Sequence, residues 1–284
     1  MKDKAGPRRL VSVQSLSSDE YCVMRMLEPD VMAKRPAPKT ARGPREVQPF
    51  VIDTSETRTL HFGFEATQST MYLNAPDALV TYYKRKMMAF LLFKPNPRHI
   101  VIVGLGGGSL AKFCYRHLAR THLTVVEISP EVIALREEFH VPADCARFRV
   151  VRDDGAAYVR NMPTAVDVLL VDAFDEGGIA RAFADPDFYR NAAEKLTPNG
   201  VLVMNLSGDP TRYVSVIEGA RAAFDDRLAL VSVATSSNIL LFVCKNGSPA
   251  SPPRGAGARA AALERRLKLE FPRFLSKLQQ SDII

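Results

Sequence analysis

Five short apolar runs, each followed by a helical pattern, occupy the sequence between residues 99 and 224. The runs are four to six residues long and largely apolar, which predicts strands buried on both faces. Because parallel strands need a long crossover, usually a helix, the alternation predicts a parallel sheet with right-handed connections. The predicted strands are 99–103, 123–126, 148–151, 166–171 and 201–205, and the predicted helices are 109–119, 130–139, 155–161, 187–196 and 211–224.

The end of this region departs from the fold of dinucleotide-binding dehydrogenases. Residues 228–234 and 239–245 predict two strands, and the polar turn 235–238 between them predicts a hairpin. A closing hairpin places one antiparallel strand in the sheet, which is typical of the S-adenosylmethionine-dependent methyltransferase fold. The predicted class is therefore α/β: a Rossmann-like sheet of that type with a closing antiparallel β-hairpin.

Smaller segments flank this domain. Residues 50–73 are β-rich and predict a small antiparallel sheet, and the apolar spacing in residues 78–93 predicts a helix. The expected division is a flexible basic N-terminal segment (1–48), a small β-sheet domain (49–75), a Rossmann-like cofactor-binding domain (76–247), and a loop with a C-terminal amphipathic helix (248–284).

The net charge of +7 is concentrated in the two ends of the chain. Residues 1–50 hold ten Lys or Arg against six Asp or Glu, and residues 245–284 hold eight against three. Acidic residues therefore outnumber basic ones in the centre, which disfavours nucleic acid as the partner of the folded domain.

Nothing in the sequence indicates a membrane or secreted protein. No apolar run approaches the ~20 residues that span a bilayer, and the N-terminus lacks the apolar region of a secretory signal. The four cysteines form no Cys-x-x-Cys pair, and the five histidines form no metal-ligand pattern. We therefore expect a cytoplasmic protein without a metal.

A glycine-rich turn follows the first predicted strand. It contains Gly104, Gly106, Gly107 and Gly108, and it leads directly into a predicted helix. Glycine lets the backbone turn tightly and present amide groups and a helix N-terminus to a ligand. This predicts a site for an adenosine-containing cofactor, although a turn that binds nothing is the alternative.

Glu127 ends the second strand, at the spacing where an acid receives ribose hydroxyls in nucleotide-binding folds. This placement fits both a nicotinamide cofactor and an S-adenosylmethionine-type cofactor, and a surface glutamate is the alternative. Asp154 and Gly155 follow the third strand, where an acid accepts a hydrogen bond from adenine in S-adenosylmethionine-type folds. The alternative for Asp154 is a helix N-cap.

Asp172 and Asp175 follow the fourth strand, at the sheet edge where open α/β folds bind their ligands. Two carboxylates three residues apart can hold a cationic amine. One of them can also remove its proton, because an amine with a pKa near ~10 must be neutral before it attacks. The alternative is an N-cap and a solvated acid.

These residues resemble the polyamine aminopropyltransferases, or spermidine synthases, from about residue 58 to residue 245. The resemblance is carried by residues 95–108, 125–133, 154–155 and 171–175. It implies transfer of an aminopropyl group from decarboxylated S-adenosylmethionine to putrescine or a related amine, without a metal, by a homodimer. By position, the family's roles fall on Glu127 (ribose), Asp154 (adenine), Asp172 (proton acceptor), Asp175 (amine ligand), and Gln68 and Tyr82 (substrate channel).

Three stretches of the sequence depart from the family's pattern. Gly107 stands where the family has an aspartate that meets the aminopropyl amine. Tyr82, Tyr83 and Lys84 replace a Tyr-Gln-Glu sequence, and Asp-Ala-Phe-Asp-Glu at 172–176 replaces Asp-Ser-Ser-Asp-Pro. The lost carboxylate and the added lysine predict weaker binding of a dication. An S-adenosylmethionine-dependent methyltransferase and a non-catalytic cofactor-binding protein therefore stay open as alternatives.

Overall fold

The computed structural model of the protein describes residues 11–14, 21–26, 48–62, 67–175, 177–233 and 236–280. The strands are β1 (Val11–Gln14), β2 (Tyr21–Met26), β3 (Phe50–Asp53), β4 (Thr57–His61), β5 (Thr67–Tyr72), β6 (His99–Val103), β7 (His122–Glu127), β8 (Phe148–Arg152), β9 (Val166–Val171), β10 (Phe174–Asp175), β11 (Gly178–Ile179), β12 (Leu196–Leu206), β13 (Leu228–Ser232) and β14 (Ile239–Cys244). The α-helices are α1 (Tyr82–Met87), α2 (Ser109–His117), α3 (Pro130–Ala134), α4 (Gly155–Asn161), α5 (Pro186–Lys195), α6 (Pro210–Phe224), α7 (Ala256–Leu267) and α8 (Phe271–Gln280), and short 3₁₀ helices cover Met88–Leu92 and Arg181–Phe183.

The central sheet has seven strands in the order β13-β14-β12-β9-β6-β7-β8. Neighbouring strands run parallel from β12 to β8, and β14 lies antiparallel between β12 and β13. The order changes direction at β6, which lies between β9 and β7. The α/β fold class with a closing antiparallel hairpin is confirmed.

Helices cover both faces of this sheet, because successive side chains of each central strand point to opposite sides. In β6, Ile100 and Ile102 belong to the apolar layer shared with α2, α7 and α8. Val101 and Val103 belong to the layer shared with α4, α5 and α6. The continuous apolar runs of the sequence are therefore the buried centre of a three-layer domain.

A second, antiparallel sheet of five strands runs in sequence order from β1 to β5. It is larger than the β-domain expected at residues 49–75, because two strands of the preceding segment pair onto it. The backbone of β2 pairs with β3 and satisfies hydrogen-bonding groups that would otherwise lie at an open edge. The side of β5 that carries Ser69 faces the glycine turn of the larger domain.

Two helices form the end of the described chain, where the sequence predicts a single helix interrupted at Pro272. The break falls earlier, because Lys268 and Glu270 both have positive φ angles, of 54° and 61°. Pro272 instead lies in the first turn of α8, where its missing N–H has no helical partner to lose. Phe274 of α8 packs on Phe242 of β14, with ring centroids 5.4 Å apart.

Within the described residues, no helix is long and apolar enough to cross a membrane.

An ion pair fastens this C-terminal unit to α1. Lys86 Nζ donates to Glu270 Oε2 at 3.0 Å, and the lysine side chain is only 4% exposed. The hydrogen bond from Lys86 lowers the pKa of Glu270 to about 2, from an ordinary value of 4.5. Burial lowers the pKa of Lys86, so the cost of removing water from the ammonium offsets part of the stabilisation by the ion pair.

We expect Glu270→Gln to lower the free energy of unfolding at pH 7 by about 1–2 kcal/mol, a value that allows for solvent around the carboxylate. Because the folded-state pKa is depressed, this stabilisation is complete above pH ~4.5 and is lost as the pH falls towards 2. Urea unfolding of both proteins between pH 7 and pH 3 tests this. A difference that stays constant over this range contradicts the assignment.

Candidate active site

The predicted site residues converge at the carboxyl ends of β6, β7, β8 and β9. These four strands are neighbours and parallel, so the residues that follow them meet at one edge of the sheet. The edge includes the point beside β6 where the strand order reverses, which is the usual ligand site in open α/β sheets. The residues brought there are the glycine turn, Glu127, Asp154 and Asp172.

The glycine turn requires glycine for two reasons. Gly104, Gly106 and Gly108 have φ angles of 96°, 49° and 68°, which side chains disfavour. At Gly104, a Cβ would also lie 2.3 Å from the carbonyl oxygen of Asp172. The turn and the Asp172 backbone therefore lie in contact, which is possible only without a side chain at residue 104.

Gly107 is constrained by packing rather than by its backbone angle. A Cβ there would lie 2.7 Å from Ser69 Oγ and 2.9 Å from Cδ1 of the Phe139 ring. Ser69 belongs to β5 of the smaller sheet, so the two sheets close over this residue. The position at which the resembling family has an acid has no room for a side chain unless its neighbours move.

Glu127 is tied to the turn by backbone hydrogen bonds. Its Oε2 accepts from the Leu105 amide at 2.8 Å, and its Oε1 accepts from the Ser129 amide at 2.9 Å. These bonds fix the carboxylate beside the glycine turn. A carboxylate has about four acceptor positions, so each oxygen can still accept a hydroxyl.

Asp154 is the N-cap of α4, the alternative that the sequence left open. Its Oδ1 accepts from the Ala157 amide at 2.8 Å. Among the described residues Oδ2 has no donor, so one oxygen can still bind a ligand. Gly155 acts through packing: a Cβ would lie 2.3 Å from Val103 Cγ1, so glycine lets α4 approach β6.

Asp172 is held by two side chains that the sequence analysis did not select. Asn205 Nδ2 donates to its Oδ1 at 2.9 Å, and Asn238 Nδ2 donates to Asn205 Oδ1 at 2.9 Å. The Tyr83 hydroxyl donates to Asp172 Oδ2 at 3.3 Å. Burial and the Asp172 charge raise the pKa of Tyr83 well above 10, so the phenol stays protonated and donates. Asn205 is the penultimate residue of β12, at the same sheet edge, and that position is the signal that could have identified it.

Asp175 is already paired. Its Oδ1 accepts from the Arg212 guanidinium and from the Gly177 amide, and its Oδ2 accepts from the Arg181 amide. Burial favours its neutral form, but these hydrogen bonds outweigh burial and lower the pKa of Asp175. A substrate ammonium would therefore compete with Arg212 for this carboxylate.

The two channel residues expected from the resemblance are Tyr82 and Gln68. The Tyr82 ring lies under Lys86 Nζ, 4.4 Å from it, and turns toward Glu270 rather than Asp172. Successive helical residues point about 100° apart, so its neighbour Tyr83 reaches Asp172 instead. Of the two tyrosines, Tyr83 is thus the one that contacts Asp172. Gln68 is exposed on β5, beside the buried Ser69 that contacts the glycine turn.

No group of three or more His, Cys, Asp or Glu side chains that could hold a metal occurs in the described part of the chain. The groups that the described residues bring to the glycine turn include carboxylates, amides and a phenol. Such groups can bind hydroxyls and an amine and can accept a proton from the amine.

Comparisons with known proteins identify the family of the chain. The family model described as "Spermine/spermidine synthase domain" matches residues 81–223. The polyamine aminopropyltransferase of Chromobacterium violaceum is 36% identical over 247 residues, covering 84% of this chain and 95% of that protein. The protein of the same name from Neisseria meningitidis serogroup A is 32% identical over 234 residues, covering 82% and 89%. A solved structure of a probable spermidine synthase from Corynebacterium glutamicum, 19% identical, shares the fold with a TM-score of 0.59 over 94% of this chain and 88% of that one.

Proposed function

The chain belongs to the spermine/spermidine synthase family, and we propose that it is a transferase that moves an aminopropyl group from decarboxylated S-adenosylmethionine to a small amine. One observation carries this proposal. The Asp172 carboxylate is held by Asn205 and Tyr83 while its backbone touches the glycine turn at Gly104. A carboxylate able to act as the base for the amine therefore lies directly beside the turn that would bind the sulfonium nucleoside.

The reaction is a single displacement. The amine nitrogen forms a bond to the carbon beside the sulfonium, the carbon–sulfur bond breaks, and its electron pair goes to sulfur. The products are the aminopropylated amine and neutral 5′-methylthioadenosine. Asp172 takes the proton that the amine must lose, and the protonated Tyr83 and Asn205 keep the carboxylate oriented.

The nucleoside half of the site supports the same proposal. Glu127 keeps unused acceptor positions beside the turn, suitable for two ribose hydroxyls. Asp154 Oδ2 has no donor among the described residues and could accept from the adenine amino group. Gly106, Gly107 and Gly108 would let the ligand approach the backbone of the turn.

A second candidate is a methyltransferase that uses ordinary S-adenosylmethionine. Gly107 favours it, because the site lacks the acid that would bind the amine of an aminopropyl group. The two candidate enzymes use donors that differ by one carboxylate, which only ordinary S-adenosylmethionine carries. They also release different nucleosides. A non-catalytic binding protein would release neither.

The test is incubation with each donor and a set of amines, followed by chromatography of the nucleosides and mass spectrometry of the amines. We expect 5′-methylthioadenosine and an amine heavier by one aminopropyl group, and only with the decarboxylated donor. Release of S-adenosylhomocysteine from ordinary S-adenosylmethionine would support the methyltransferase instead. The absence of turnover with both donors, despite binding, would support the non-catalytic alternative.

We further propose that the protein works as a cytoplasmic homodimer. The family resemblance supports the dimer, and the free thiols of Cys114, Cys145 and Cys244 fit a reducing compartment. Light scattering of the purified protein tests the oligomeric state directly, and a monomer at micromolar concentration would contradict it.

A further inference from the structure

Lys84 is a buried cation beside the proposed base. It lies on α1 and is only 6% exposed. Its Nζ is 5.5 Å from the centroid of the Tyr83 ring, and the Tyr83 hydroxyl donates to Asp172. Within the described part of the chain, Lys84 Nζ has no hydrogen-bond acceptor and no carboxylate within ion-pair distance.

Two other buried lysines, unlike Lys84, have hydrogen-bond acceptors within the protein. Lys86 Nζ donates to Glu270 and to the Leu269 carbonyl. Lys112 Nζ donates to the Phe139 carbonyl at 2.6 Å. A buried ammonium is expensive unless an acceptor compensates for its lost water. Among the described residues, Lys84 Nζ has only the Tyr83 ring beside it, so its N–H donors can serve an acceptor on a ligand.

The position of Lys84 limits where that acceptor can lie. The charge of Asp172 partly opposes the lowering of the Lys84 pKa by burial. Lys112, on the helix that follows the glycine turn, has its pKa lowered to about 7 by burial and then by Lys84. Lys84 therefore interacts electrostatically with both the proposed base and the helix that follows the turn.

The surroundings also favour an anion over a second ammonium. Asp175 is neutralised by Arg212, and Gly107 leaves no room for an acid. Of the carboxylates that follow β9, only Asp172 lacks a cationic hydrogen-bond partner among the described residues, and Lys84 already lies near it. A diamine would bring a second positive charge into this region, whereas a carboxylate would compensate for the one already there.

We propose that Lys84 binds a carboxylate of a substrate and thereby determines which substrates the enzyme accepts. The carboxylate has two possible sources. One is an acceptor that carries an ammonium at one end and a carboxylate at the other, as in an ω-amino acid. The other is the amino-acid tail of ordinary S-adenosylmethionine. The inference rests on the proposed site. If the carboxylate belongs to S-adenosylmethionine, the group transferred is methyl rather than aminopropyl.

The experiment is calorimetry with two matched ligand pairs. The donor pair is S-adenosylmethionine and its decarboxylated form. The acceptor pair is 4-aminobutyrate and putrescine, titrated onto protein saturated with 5′-methylthioadenosine. In the unaltered protein, the carboxylate ligand of one pair is expected to bind about 10–100-fold more tightly than its partner, the range for a hydrogen bond between charged groups. The pair that shows the preference identifies the source.

Variants attribute the preference to Lys84. Lys84→Met keeps the length of the side chain without its charge and should reduce the preference at least tenfold, and Lys84→Arg should retain most of it. Lys86→Met is the matched control, because Lys86 is also buried on α1 but has its own partner in Glu270. This control should keep the full preference.

Two results overturn the inference: no carboxylate preference in either pair, or a preference that Lys84→Met leaves unchanged. The first needs no variant, so poor folding of Lys84→Met cannot hide it. Turnover with the decarboxylated donor is measured separately by release of 5′-methylthioadenosine. Its failure overturns the proposed reaction without deciding the role of Lys84.

Discussion

Replacement of Asp172 by asparagine is expected to lower turnover by about 10²–10⁴-fold, the usual contribution of a positioned general base. The amide has nearly the shape of the carboxylate, and its oxygen can still accept from Asn205. The fold should therefore persist while the proton acceptor is lost. Release of 5′-methylthioadenosine under saturating donor and amine measures the change, and thermal unfolding confirms that the variant is folded.

The pH dependence separates loss of a base from general damage. An amine with a pKa near ~10 is mostly neutral above that pH, so it no longer needs Asp172 to remove its proton. The ratio of unaltered to variant turnover should therefore shrink as the pH rises from 7 towards 10. Asp175→Asn is the matched control, because Asp175 lies three residues away and is already paired with Arg212. Equal turnover of Asp172→Asn and the unaltered protein at pH 7 would remove the assigned role.

The sequence predicts the sheet well because its strands are buried on both faces, and a run such as Val166–Val171 has few other stable environments. Helix boundaries are predicted less well. The helix expected at 78–93 begins only at Tyr82 and becomes a 3₁₀ helix at Met88, and the helix expected at 130–139 ends at Ala134. Apolar spacing continues through such turns, so it does not mark where the regular hydrogen bonds stop.

Within the site, sequence reasoning finds the residues that strands position and misses those that distant elements supply. Glu127 and Asp172 follow strands, so their place at one edge follows from topology alone. Tyr83 contacts Asp172 from a helix that lies 89 residues away along the chain. Arg212 contacts Asp175 from a helix that lies 37 residues away. Those contacts depend on how the helices pack against the sheet, and the apolar periodicity of one sequence does not predict that packing.

The buried cation changes how the family resemblance applies to this chain. The proposed nucleoside half of the site keeps Glu127, Asp154 and the glycine turn, while the proposed amine half has one carboxylate paired with Arg212 and a lysine near the other. Electrostatic discrimination between substrates comes from such differences in local charge rather than from the fold. The donor chemistry and the acceptor identity are therefore separate questions for this enzyme.

Gly104→Ala is expected to lower the free energy of unfolding by about 2–5 kcal/mol and to weaken donor binding. Two costs add: the residue has a φ of 96°, which an L side chain disfavours, and the new Cβ would lie 2.3 Å from the Asp172 carbonyl oxygen. The contact is with backbone, so no side-chain rotation relieves it. Relief requires moving either the turn or Asp172, and both belong to the proposed site.

A matched variant separates these two costs. Gly247 has a φ of 79°, but a Cβ built there meets nothing within 4 Å. Gly247→Ala should therefore show the conformational cost alone, about 1 kcal/mol, with donor binding unchanged. Urea unfolding and calorimetry of both variants measure the difference. If the two variants lose equal stability and bind the donor equally well, then the close approach of the turn to Asp172 does not matter. The glycine at 104 would in that case serve only the backbone angle, and the coupling between the nucleoside half and the base would be absent.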